Sequence, residues 1–324
     1  LNEHLFTFIY EMRGENFTAW SLFFLEGFSQ YPKLEIVLFV FSLLMYLVTI
    51  LGNSTLILIT VLDSHLQTPM YLFLGNLSFM DICYTSASIP TLLVNLLSSK
   101  KTIIFSGCVV QMYLSLSMGS TECILLAVMA YDRYVAICNP LRYPIIMNRQ
   151  VCVQMATISW VTGCLTALLE TSFALQIPLC GNVIDHFTCE ILAVLKLACM
   201  GSLLMDMVML VVSILLLPIP MLLICISYGF ILSTILRISS TEGRNKAFST
   251  CGAHLTVVIL YYGAALSMYL KPSSSNSQEI DKIISLLYGV LTPMLNPIIY
   301  SLRNKEVKEA VKKLLGKVPL APSV

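Results

Sequence analysis

Seven apolar stretches dominate this chain, at about 35–60, 68–93, 105–134, 151–173, 205–232, 247–270 and 279–302. A helix needs roughly 20 apolar residues to cross a bilayer, so each stretch is long enough to span. A transmembrane barrel would instead show segments of about ten residues with alternating polarity. In lipid no water pairs with exposed backbone groups, and a continuous apolar run satisfies its own only as a helix. Composition agrees: 57% of the 324 residues are hydrophobic and 11% are charged, against about a quarter charged in soluble domains. The expected fold is an all-α membrane protein, a seven-transmembrane helix bundle over 35–302. An extracellular segment, 1–34, precedes it, and a short amphipathic C-terminal helix and cytoplasmic tail, 303–324, follow.

The loops set the orientation. With the N-terminus outside, 12 of the 19 Lys and Arg residues lie on the inner side and seven on the outer, as the positive-inside rule requires. Asn16-Phe17-Thr18 is a glycosylation sequon usable only on the outer side. The sequons at Asn53 and Asn76 fall within expected helices and are discounted. Met12 is the first methionine, and residues 1–11 are expected to lie upstream of the natural start. No cleavable signal pattern is evident. Cys180, Cys189 and Cys199 sit in the outer connection between spans four and five. With Cys108 at the outer end of span three they make four cysteines in an oxidising compartment, and three pairings are open. At the other end Leu302, Val307, Ala310, Val311, Leu314 and Leu315 recur at helical spacing, the pattern of a helix lying on the inner leaflet. The net charge of +1 and the lack of a basic stripe argue against nucleic acid.

Within the spans the polar residues are few, and each is a functional candidate by default. Asp132 and Arg133 are adjacent charges at the inner end of span three. At about 100° per residue, Cys108, Ser115, Gly119, Glu122 and Arg133 share one face of that helix. Glu122 and Asp81 are acids at mid-membrane depth, with Asn53 in span one and Asn296 in span seven at a similar level. Such groups can converge on a cation and water, which makes a structural sodium ion the one candidate cofactor. Pro293 and Pro297 in span seven, and Pro218 and Pro220 in span five, each remove a backbone donor and kink their helices.

Together these residues resemble a rhodopsin-like (class A) G-protein-coupled receptor and, within that class, an odorant receptor. The resemblance covers nearly all of 12–317. It runs through Gly52-Asn53, the segment from Leu66-Gln67-Thr68-Pro69-Met70-Tyr71 to Asp81, and Met129-Ala130-Tyr131-Asp132-Arg133-Tyr134-Val135-Ala136-Ile137-Cys138. It continues in Ser227-Tyr228, Lys246-Ala247-Phe248-Ser249-Thr250-Cys251-Gly252-Ala253-His254-Leu255, and Pro293 to Tyr300 with Ser301-Leu302-Arg303-Asn304. The chain looks closest to tetrapod class II odorant receptors, family 13. The resemblance implies that Asp132 holds Arg133 at rest, and that a ligand swings the sixth helix outward. Tyr134, Tyr228, Asn296, Pro297 and Tyr300 complete the switch that couples to a stimulatory olfactory heterotrimeric G protein and raises cyclic AMP. It also implies a plasma-membrane location, the disulfides Cys108–Cys189 and Cys180–Cys199, and glycosylation at Asn16.

The ligand site is expected in the outer half of the bundle, between helices three, five, six and seven. The candidate contacts are Met112, Ser115, Leu116, Gly119 and Ser120 on helix three and Val208 and Val212 on helix five. On helix six, Tyr262, Ala265, Leu266 and Tyr269 share a face. This lining is apolar with a few hydroxyls, and helix three carries no acid at the Ser115 level. A small, mostly hydrophobic, neutral volatile is the expected ligand. Glu170, near the outer end of span four, is an unusual charge that either snorkels to the interface, the favoured reading, or reaches the pocket. His186, Cys189 and Glu190 are metal-ligating types, but a disulfide at Cys189 removes its thiolate, and no metal site is expected.

Three other classes compete. A transporter would show internal repeats, which seven spans without a visible repeat do not supply. An enzyme would need a catalytic constellation, yet no metal-binding His motif or Gly-x-Ser-x-Gly occurs, and His4, His65, His186 and His254 are dispersed. The closest rival is a class A receptor for a non-volatile lipid or metabolite.

Overall fold

The computed structural model describes residues 21–63, 66–269, 277–303, 307 and 309–312. Seven helical spans form a bundle. They are α1 Pro32–Leu62, α2 Pro69–Leu97, α3 Phe105–Cys138, α4 Arg149–Ala174, α5 Leu203–Leu236, α6 Thr241–Tyr269 and α7, which runs in pieces from Ser277 to Arg303. Six of them are long and apolar enough to cross a membrane, and α6 contributes the shorter apolar stretch Cys251–Ser267. Local chemistry sets several starts. Proline opens α1 and α2, where a missing N–H costs nothing. Asn148 caps α4 by accepting from the Val151 amide at 3.0 Å, and Ser202 caps α5 through the Met205 amide at 3.3 Å.

Two spans depart from the continuous helices read from the sequence. α5 is interrupted at Leu217, ending one segment at Leu216 and restarting at Pro218. Pro218 and Pro220 have no N–H to offer the carbonyls of Ile214 and Leu216. α7 runs as Ser277–Leu286, a π-helical turn Leu287–Leu291, and Thr292–Arg303. π turns insert one residue into the helix and often mark functional sites.

The central core surrounds α3. Phe73, Leu74 and Leu77 from α2, Leu125, Leu126 and Ala130 from α3 and Val257 from α6 are fully buried in one cluster. α3 and α4 approach closely because residue 163 is glycine. A Cβ there would stand 2.8 Å from the Thr121 amide nitrogen, 2.9 Å from the Ser117 carbonyl oxygen, and on the Thr121 hydroxyl. The bundle exterior is the reverse of a soluble protein. Leu51 on α1, Val94 on α2 and Ile158 on α4 are each more than 60% exposed, and only lipid makes such a surface favourable. Among the described tail residues, Val307 and Ala310 pack on the bundle core while Glu309 faces out.

The outer face carries a feature absent from the sequence reading, a three-stranded sheet. β1 (Leu22–Leu25) pairs antiparallel with β2 (Thr102–Ile104) and parallel with β3 (Val183–Ile184), in the registers Phe23 with Ile103 and Leu25 with Ile184. Strands of two to four residues lie below what hydropathy alternation resolves. The sheet joins the N-terminal segment to two outer loops. Phe23, Leu25, Ile103 and Ile184 pack with Cys108 and Cys189 into a second small core.

Candidate functional site

At the outer end of the bundle lies a cavity of about 150 Å³. α3 supplies Met112, Ser115, Leu116, Gly119, Ser120 and Cys123. α5 adds Val212, Ser213, Leu216 and Leu217 at its interruption, and α6 adds Tyr261 and Ala265. Tyr84 of α2, Tyr288 of α7, Glu170 of α4 and Glu190, Ile191 and Leu192 of the outer loop complete the lining. The π turn sets Tyr288 edge-on to Tyr84 and Tyr261, with ring centroids 6.2 and 5.6 Å apart. Gly289 makes room for this, since a Cβ there would lie 3.2 Å from the Tyr84 hydroxyl. The Tyr261 hydroxyl donates to the Gly119 carbonyl at 2.7 Å and lies 2.9 Å from Cys123 Sγ.

Seven of the expected ligand contacts line this cavity: Met112, Ser115, Leu116, Gly119, Ser120, Val212 and Ala265. Val208, Tyr262 and Leu266 do not. α6 is turned so that Tyr261 and Ala265, not Tyr262 and Leu266, face the space. Tyr262 instead donates to the Cys123 carbonyl at 3.3 Å, and Val208 packs against the central core. The side chain of Tyr269 lies outside the described residues. Glu170 takes the second of the two placements read from the sequence. Rather than snorkelling, it is 4% exposed and lines the cavity, under a loop that sends Ile191 and Leu192 into the same space. The acids near the cavity come from α4 and this loop, elements whose approach no helical periodicity in α3 reveals.

Mid-bundle, Asp81, Glu122 and Asn296 of the residues singled out as an ion site adjoin one small space, and Asn53 reaches it through the Pro293 carbonyl. Asn296 donates to Asp81 Oδ2 at 2.9 Å, and Asn53 donates to the carbonyls of Thr49 and Pro293, each at 3.0 Å. Asp81 and Glu122 share a small space of about 10 Å³ with Thr292 and Pro293. Three buried oxygens here lack a partner: Asn53 Oδ1, Glu122 Oε1 and Asn296 Oδ1. All are hard oxygen donors, and the space is about one water or small ion in size, so the residues fit such a cation. No cluster of three or more His, Cys, Asp or Glu suited to a transition metal occurs among the described residues.

At the inner end, Asp132 is 1% exposed and engaged on both oxygens. Oδ2 accepts from Arg133 Nε at 3.0 Å and pairs with Nη2, and Oδ1 accepts from the Tyr143 hydroxyl at 2.8 Å. Tyr143 stands outside the spans, on the short helix Tyr143–Ile146. Burial, then the neighbouring Asp132 carboxylate, pushes its phenol above the ordinary value, so it remains a donor. A second latch joins three helices. His254 Nε2 lies 3.2 Å from the Leu126 carbonyl, which fixes that nitrogen as the donor, so Nδ1 accepts from the Tyr228 hydroxyl at 2.7 Å. Tyr134 packs beside Ile231, Ile235 and Cys251, with its ring 5.8 Å from Phe230. Pro297 of α7 touches α1 at Gly52, where a Cβ would come within 3.0 Å of its ring. Tyr143 and His254 were not assigned roles from the sequence. His254 is a lone histidine on an apolar helix, and Tyr143 depends on a loop conformation. The side chain of Tyr300, and Asn16, lie outside the described residues.

The outer loop is fastened by Cys108–Cys189 and Cys180–Cys199. Gln111 braces the first of these. Its Nε2 donates to the Ala87 carbonyl at 3.0 Å and its Oε1 accepts from the Cys189 amide at 2.8 Å.

A family model described as olfactory receptor matches residues 41–317. The chain is 88% identical over 309 residues to Olfactory receptor 2K2 of Homo sapiens, covering 95% of this chain and 98% of that protein. It is 66% identical over 301 residues to human Olfactory receptor 13F1, with 93% and 94% covered. To human Olfactory receptor 13D1 it is 62% identical over 307 residues, with 94% and 89% covered.

Proposed function

Because this chain belongs to the olfactory receptor family, we propose that it binds small, mostly hydrophobic volatiles in the outer cavity and activates a stimulatory heterotrimeric G protein, raising cyclic AMP. It is an odorant receptor of the multi-pass membrane class and not an enzyme. The supporting observation is the pairing of a largely apolar outer cavity with a closed inner end. Asp132, Arg133 and Tyr143 form one latch there, and Tyr228 and His254 form another. A ligand acts by binding one arrangement better than the other. Occupation of the cavity reaches Leu216 and Leu217 at the α5 interruption and Tyr261 on α6, and these are the two helices closed against Tyr134 at the inner face.

In this mechanism Arg133 leaves Asp132 when α6 moves out, and Tyr228 is released from His254 to repack with Tyr300 toward the arginine. Asn296 and Pro297 provide the polar, kinked part of α7 that the change requires. Asp81, Glu122, Asn53 and Asn296 would hold a sodium ion at rest, whose charge would offset the buried acids. The N-terminus, with Asn16 glycosylated, faces outward from the plasma membrane.

The test is cyclic AMP in cells expressing the receptor with the olfactory G protein, against a panel of neutral volatiles, with Arg133→Ala in parallel and surface delivery measured for both. A response lost in Arg133→Ala at equal surface level is expected. A full response in that variant overturns the switch. Silence of the surface-delivered wild type across the panel instead points to a non-volatile lipid or metabolite as ligand.

A further inference from the structure

The outer cavity contains two carboxyl groups, and the protein engages only one. Glu190 accepts from the Ser285 hydroxyl at 3.3 Å and lies 3.7 Å from His186 Nε2. Glu170 is 96% buried by its 4% exposure and lines the cavity, and it has no hydrogen-bond or ion-pair partner among the described residues. Buried polar groups are almost always paired, and one that is not asks for a partner from elsewhere. None of the hydroxyls in the lining, those of Ser115, Ser120, Ser213, Tyr84 and Tyr288, is hydrogen-bonded to Glu170. The lining includes no Lys, Arg or His, and the Tyr261 hydroxyl already donates to the Gly119 carbonyl. A carboxyl group has acceptor capacity whether ionised or protonated, so Glu170 presents an unused acceptor at the edge of an apolar space.

We infer that Glu170 selects the ligand: the cavity takes an apolar molecule carrying a hydrogen-bond donor, a hydroxyl or an amine, whose donor seats on this carboxyl group. The hydrocarbon body lies against Met112, Leu116, Ile191 and Val212. A ketone, ester or ether of the same skeleton brings only acceptors: it sets oxygen against oxygen at the carboxylate and can use only the single O–H of the protonated acid, whereas a donor is accepted in either form. A site built to pair one polar group discriminates sharply against analogues that lack its complement. This inference rests on the cavity being the odorant site; it narrows the neutral ligands proposed above to those with a hydroxyl donor and adds amines, which are cationic at neutral pH.

The experiment uses one carbon skeleton in four forms, as alcohol, primary amine, aldehyde and methyl ether. Each is applied to the wild type, Glu170→Leu and Glu170→Gln. Binding is read as the rise in melting temperature of the purified full-length receptor, and signalling as cyclic AMP in cells. In the wild type the alcohol and amine should outrank the aldehyde and ether by about tenfold in half-maximal concentration. In Glu170→Leu the alcohol and ether should converge to within about threefold. Glu170→Gln keeps an acceptor oxygen and the side-chain size but adds an NH2 donor, so it should still bind the alcohol, narrow its lead over the aldehyde and ether, and lower the amine. It also guards against a folding defect in the leucine variant. Acceptor-only compounds ranking first, a donor preference that survives in Glu170→Leu, or no stabilisation by either donor overturns the inference. Donor-selective stabilisation without cyclic AMP upholds it and counts against the signalling role. A cyclic AMP response led by the aldehyde or ether overturns the inference and leaves that role standing.

Discussion

Asp132 shows how much one side chain can hold. Its two oxygens are divided between Arg133 on its own helix and Tyr143 on the neighbouring loop helix, so the carboxylate that holds the arginine is itself held in place by a phenol. Tyr143→Phe removes one donor to a buried carboxylate, a change of about 1.5–3 kcal/mol in favour of the open state. Basal cyclic AMP per surface receptor should therefore rise at least severalfold, and an unchanged basal level would show that the phenol carries none of the resting bias. Because the folded-state pKa of Tyr143 is raised, its donated bond is fully present below the unfolded value of about 10 and is lost only above that. Basal activity should thus not change through Tyr143 between about pH 6 and 8. Legibility at this scale was uneven. The charged pair at 132 and 133 stood out because ionic groups are rare in apolar runs. Glu170 was equally rare, but whether it reached water depended on a loop that folds back from twenty residues further on. Tyr262 was assigned to the cavity face and Tyr261 was not, because at about 100° per residue Ala265 shares a face with either tyrosine and periodicity alone does not choose between them.

At the scale of elements, hydropathy gave the spans to within a few residues, since continuous apolar length is the quantity a bilayer tests. It did not give the interruption at Leu217 or the π turn at Leu287–Leu291, where backbone bonding changes without a change in composition. Nor did it give the outer sheet, whose strands are too short to set up an alternation. The contact of α3 with α4 is similarly hidden, because a glycine in an apolar helix looks unremarkable until a second backbone is laid against it. Gly163→Val should push α4 away from Thr121, at a cost of about 1–3 kcal/mol or more from overpacking. The melting temperature and surface delivery should both fall. Gly229→Ala on α5, where a Cβ meets nothing within 4 Å, is the matched control and should be tolerated. Equal delivery of both variants would mean that the α3–α4 contact has slack.

Across the whole molecule, the outer cavity and the inner latches lie at opposite ends of the same helices, so their coupling must be reciprocal. Saturating G protein should tighten odorant binding by the factor through which odorant tightens G-protein binding, about 5- to 150-fold for coupling of ordinary strength. Paired titrations of one purified receptor measure both factors, and unequal factors would exclude two shared global states. Arg133→Ala should bring both close to one. The interruption of α5 bears on how large that factor can be. Leu216 and Leu217 line the outer cavity at the turn where Pro218 and Pro220 have withdrawn two backbone bonds. In mechanical terms the probe tip rests on the softest point of the beam. A small volatile held at micromolar strength has about 8 kcal/mol of total binding energy. Driving a population from 1:99 to 99:1 takes about 5.5 kcal/mol of preference between states. Only a compliant lever at the point of contact lets so slight a load move the far end, and ligands that press on it less firmly should give graded, partial responses rather than none.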